Sequence, residues 1–156
     1  ENEIKKLVIN IDKNAEITPD IVEKNIGISK DYNIFELQKA LGERNIFESN
    51  QIINYFGANP KENSIVFVIV MLFTYFKRLF VYHSLQDKSD KNVASAFGLN
   101  PFFVKDIKLA ARNYDMRKLR EIISILREYD QKAKGVDSAA VEDGELMKEM
   151  IYKILH

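Results

Sequence analysis

The 156-residue chain has no cysteine and no tryptophan, and only three prolines, six glycines and two histidines. Without cysteine there can be no disulfide framework, thiolate zinc site or cysteine nucleophile. The scattered glycines form neither the pattern G-x-x-x-x-G-K-[ST] nor a dinucleotide fingerprint, which excludes ATP binding through a P-loop. His83 and His156 lie on a long hydrophobic stretch and at the last position, so a histidine metal site would require them to meet. His83 therefore reads as a partly buried structural residue. Ser84, His83 and Asp87 contain the residue types of a triad, but adjacent helical positions point to different faces. Glu142 and Asp143 fall in a loop where nothing would desolvate a carboxylate enough to tune it. The expectation is a non-catalytic chain with no cofactor and no metal.

No apolar run reaches membrane-spanning length. The longest, Ile65 to Phe76, is broken only by Thr74. As a helix it would span about 18 Å against about 30 Å of bilayer hydrocarbon, so no membrane role is expected. Its β-branched start resembles a buried strand, but no second strand-like run exists to pair with it, and a buried helix fits better. At the N-terminus Glu1, Glu3, Lys5 and Lys6 precede only a short apolar stretch, unlike a signal peptide. Ile4, Leu7, Val8 and Ile11 follow helical spacing without a preceding cap, which reads as an internal piece of a longer chain. A cytoplasmic origin fits these absences.

The hydrophobic content, 46%, is enough to fill the core of one ordinary domain. Charge sums to zero but is uneven: residues 77–134 hold 13 Lys and Arg against 7 Asp and Glu, net +6, while both flanks are acidic. A basic middle can attract phosphate, yet long helices with solvated Lys and Arg produce the same excess.

Turn residues mark helix ends throughout. Thr18, Pro19 and Asp20 open a short helix that Gly27 closes, and a domain boundary is expected near Ile28. Asn33 and Glu36 have capping-box spacing ahead of Ile34, Phe35, Leu37 and Leu41. A second helix runs from about Asn45 to Phe56 and is ended by Gly57, Asn59 and Pro60. The long helix starts near Asn63 and reaches Leu85. Apolar nearly all round, its first half should be enclosed by other helices. Helices follow over Ser89–Phe97, over Pro101–Tyr114 with Asn100 as cap, and from Asp115 with a stripe of Met116, Leu119, Ile122, Ile123, Leu126 and Tyr129. Lys134 to Gly144 is a small, acidic loop expected to be mobile. A last helix spans about Asp143 to Leu155.

Asp90 to Lys108 matches a helix-turn-helix, with Val93 and Ala94 in the first helix, Gly98 at the turn, and Leu99, Val104 and Ile107 packing between the helices. One reading is a DNA-binding regulator that uses residues 101–114. A DNA reader, however, needs polar side chains where the second helix begins, and this chain offers Pro101, Phe102 and Phe103. Two phenylalanines suit a protein interface or a core.

The segment Val93-Ala-Ser-Ala-Phe-Gly-Leu-Asn-Pro-Phe-Phe-Val-Lys105, followed by Ala110-Ala-Arg-Asn-Tyr114, resembles the C-terminal domain of the DNA polymerase III delta subunit, a component of the bacterial clamp loader. Ile26-Gly-Ile-Ser-Lys-Asp-Tyr-Asn-Ile-Phe-Glu-Leu37 is similar to that family's passage from lid to collar domain, and Leu126-Arg-Glu-Tyr-Asp-Gln-Lys132 to its penultimate helix. The resemblance implies an all-α, collar-like helical bundle over residues 28–156, preceded at 1–27 by the helical end of an AAA+ lid. It implies a non-enzymatic part of the DNA polymerase III holoenzyme, a nucleotidyltransferase complex, that joins clamp-loader subunits into a ring for DNA replication. Partners would be the ATPase subunits and delta-prime. The sliding clamp would be engaged only by the family's N-terminal region, and direct DNA contact is not expected. Phe102, Phe103, Tyr114 and Tyr129 are the candidate subunit-interface residues, each of which periodicity allows equally as core. Eight or nine helices and no sheet are expected, with Ile122, Leu126, Met150 and Ile154 around Ile65–Phe76. On that view Val70→Asp should unfold the domain.

Overall fold

The computed structural model describes residues 32–136 and 141–156. The lid-like helices over 1–27, the boundary near Ile28 and the middle of the expected loop at 134–144 lie outside the described residues. The described residues belong to one unit, Tyr32–His156.

Side-chain caps start the helices where the sequence placed them. The Asn33 carboxamide oxygen accepts from the Phe35 and Glu36 amides at 2.9 and 3.1 Å, and the Glu36 carboxylate accepts the Asn33 amide at 3.0 Å. This reciprocal pair satisfies donors that the first turn of α1 (Ile34–Gly42) cannot satisfy itself. Asn45 caps α2 (Ile46–Ala58) through the Glu48 amide at 3.1 Å. Ser64 caps α3 (Ile65–Ser84), one residue beyond the expected start. Ser89 begins α4 (Asp90–Phe97), and Asp115 begins α6 (Met116–Ala133). Between these two, the expected single helix over Pro101–Tyr114 is a 3₁₀ turn, Pro101–Phe103, followed by α5 (Val104–Asn113). The last helix, α7, covers Asp143–Leu155. Among the described residues there are seven α-helices and no strand.

Helix α3 is central: it runs along α6 and also meets α1, α5 and α7, while α2 lies along α7. Its Val68, Ile69, Leu72, Tyr75, Phe76 and Leu79 are buried, and Ile122, Leu126, Met150 and Ile154 are buried with them, as expected. At the other long contact, α2 and α7 approach so closely that a Cβ on Gly57 would stand 3.1 Å from Gly144 Cα. Only backbone faces backbone at that crossing, so a side chain on either glycine would push the helices apart.

Two expectations about α3 need correction. Its first half is not enclosed: Val66, Phe67, Val70 and Phe73 are exposed, with Val70 at 54%. They recur on one stripe of the helix, opposite the face that carries Leu72 and Phe76. The second correction concerns length. The full helix has 20 residues and is apolar and long enough to cross a membrane, so length does not argue against a span. Eight of its residues instead belong to the shared core.

Val70→Asp should therefore cost roughly 1 kcal/mol and leave the fold intact. Leu72→Asp, two residues on, should unfold the domain, because a buried leucine contributes roughly 1.5–3 kcal/mol and an unpaired buried charge costs more. Helical circular dichroism followed through a urea titration separates the two variants. Equal loss of stability in both would show that the outer stripe of α3 is enclosed after all.

Candidate assembly surface

The helix-turn-helix segment is built by a series of short-range hydrogen bonds. Asp87 accepts from the Ser89 amide at 2.8 Å and from its hydroxyl at 3.0 Å, which holds the Asp87 carboxyl below its usual range. Gly98 closes α4 with φ 61°, the left-handed conformation that glycine adopts without a Cβ penalty. The Asn100 side chain then accepts the Phe102 amide at 2.9 Å and opens the 3₁₀ turn. Behind this turn Val104, Ile107, Ala110 and Ala111 are buried and seat α5 on the core.

Phe102 and Phe103 are thereby held outward, 65% and 52% exposed. Their rings meet edge to face with centroids 5.5 Å apart, and the Lys105 ammonium lies 4.2 Å from the Phe102 ring centroid. Lys108 forms an ion pair with Asp90 across the turn. The start of the second helix thus displays an aromatic pair where base-reading polar groups would stand in a DNA reader.

The other two candidates lie elsewhere. Tyr114 is fully buried at the junction of α1, α3 and α5, so it offers no interface surface. Its hydroxyl donates to the Leu41 carbonyl at 2.7 Å, and its ring packs edge to face on Phe76 at 5.4 Å. Burial pushes its phenol up to about 12, against a small opposing pull from Arg44. The half-buried His83 donates from Nε2 to the Tyr114 carbonyl at 2.8 Å, the structural role expected of it.

Tyr129 is also fully buried and is not an interface residue. The ammonium groups of Lys132 and Lys153 lie 4.6 and 5.1 Å from its ring centroid. Burial, with the Glu149 carboxylate beside it, raises its phenol above the ordinary range. Over it, Glu128 pairs with Lys132 at 2.8 Å and with Lys153 at 3.2 Å, and Lys153 reaches Glu149 at 3.5 Å. Glu128–Lys132 lies within α6, and Lys132–Glu149 at 3.9 Å sets a lysine of the middle segment against an acid of the C-terminal flank.

Periodicity did not mark the outer stripe of α3, nor Phe35 and Phe47, which are 66% and 72% exposed. The only sequence signal was surplus: α3 carries more apolar positions than one buried face can use.

No group of three or more His, Cys, Asp or Glu among the described residues could hold a metal.

Residues 31–152 match a family described as the DNA polymerase III delta subunit, C-terminal domain. The fold is similar to that of the Bacillus subtilis DNA clamp loader delta protein (YqeN), with a TM-score of 0.60 and 27% sequence identity. That likeness covers 99% of this chain and 44% of the other, so this chain spans less than half of that protein's length. No curated protein matches.

The ion pairs over Tyr129 set a pH dependence. The lysine hydrogen bonds hold the Glu128 carboxyl below its ordinary 4.5. A carboxyl depressed in the folded state adds stability above its unfolded pKa, and that stability is lost as pH falls through the folded value. Glu128→Gln should therefore lower the urea midpoint slightly at pH 7 and leave it unchanged near pH 2. A variant that loses as much at pH 2 as at pH 7 would show that the ion pairs contribute nothing.

Proposed function

Since the chain belongs to the family formed by the C-terminal domains of DNA polymerase III delta subunits, we propose that residues 28–156 act as a clamp-loader collar, a non-catalytic piece that holds its neighbours in a ring. Residues 1–27 would be the end of the lid that precedes it. The partners proposed are the ATPase subunits and delta-prime, in the cytoplasm and within the DNA polymerase III holoenzyme. Sliding-clamp contact is assigned to the N-terminal region of delta and not to this segment.

One observation carries the reading beyond the family match. A self-sufficient bundle spends its aromatic side chains in its core, whereas this one leaves Phe102, Phe103, Phe47 and the outer stripe of α3 in solvent. Apolar side chains grouped on a surface mark places where another protein packs. The DNA-reading alternative has no such support, because the turn that would enter the groove presents Phe102 and Phe103.

The chain, immobilised, should retain the ATPase subunits and delta-prime of its own organism and fail to retain the sliding clamp. Capture of the clamp without the other loader subunits would overturn the collar assignment.

A further inference from the structure

We propose that Phe102, Phe103 and Lys105 form one docking knuckle for a protein segment that carries an apolar side chain beside a carboxylate. The inference rests on the collar reading, since the segment is assigned to a neighbouring loader protein.

Local structure sets the backbone of the knuckle. Asn100 caps the 3₁₀ turn, Gly98 fixes its approach, and Val104 and Ile107 anchor the helix behind it. Both rings are more than half exposed, and their edge-to-face contact holds each against the other. A partner therefore meets two aromatic rings presented side by side on a capped turn.

Charge decides what the partner carries. Lys108 is matched by Asp90, but Lys105 has no carboxylate partner among the described residues and stands over the Phe102 ring. A carboxylate that approaches Phe102 would complete an ion pair with Lys105 while its neighbouring apolar group packs on the rings. Single-stranded nucleic acid fits less well. The ion pair of Lys108 with Asp90 removes a cation that a phosphate would need.

The test compares the full chain with Phe102→Ala/Phe103→Ala, Lys105→Glu and Lys105→Arg. It measures affinity for the ATPase subunits and delta-prime, and for an oligothymidine single strand, at low and moderate salt. Thermal midpoints check that each variant is folded. The expected result is at least a tenfold loss of affinity for the loader subunits in the double alanine variant and in Lys105→Glu, with near-native affinity for Lys105→Arg. Native binding should weaken as salt rises. Unchanged binding to the loader subunits in both damaging variants would overturn the knuckle and leave the collar reading intact. No binding to them by the native chain would overturn both. Oligothymidine binding that is lost in these variants, while the loader subunits still bind, would replace the protein partner with nucleic acid.

Discussion

Val68, Ile69, Leu72, Tyr75, Phe76 and Leu79 line one side of α3, and α1, α5, α6 and α7 all lie against that helix. The arrangement of the bundle depends on this one buried face, because it joins helices from both ends of the described chain. Polar ties then set the register. The Gln38 carboxamide donates to the Met71 carbonyl at 3.1 Å and joins α1 to α3. The Asn113 side chain donates to the Gly42 carbonyl at 2.8 Å and joins α5 to the end of α1. Arg44, in a left-handed conformation with φ 54°, donates to the Leu155 carbonyl and fastens the α1–α2 turn to the end of α7. Apolar burial supplies most of the free energy, and these bonds tie particular turns and helices to one another.

Helix ends were legible because capping is local chemistry. Asn33 with Glu36, Asn45, Asn100 and Asp115 each hold an amide two or three residues ahead, a distance that sequence spacing reveals. The choice of buried face on α3 was not legible. Val66 and Val68 are the same residue type two positions apart, and only the positions of α1, α5, α6 and α7 separate them. Tyr114 and Phe102 posed the same problem: the partner that buries Tyr114 is the Leu41 carbonyl, 73 residues away. The Gly57–Gly144 crossing is likewise a long-range contact with no local signature.

These corrections narrow the proposed assembly surface. Tyr114 and Tyr129 are committed to the core, the first by its hydrogen bond to Leu41 and the second by the lysines packed over its ring. The aromatic side chains left exposed are Phe102 and Phe103 on the 3₁₀ turn, Phe35, Phe47, and Phe67 and Phe73 on the outer stripe of α3. One face of that helix is buried in the core and the other is exposed. The apolar surplus that made α3 look enclosed in the sequence is what the collar reading requires.

Sedimentation velocity of the chain mixed with the ATPase subunits and delta-prime tests the collar claim most directly. The account predicts one boundary, heavier than the complex of the other subunits alone, that contains this chain. If the 18.1 kDa chain sediments by itself at micromolar concentrations of its partners, it is not the element that holds the ring.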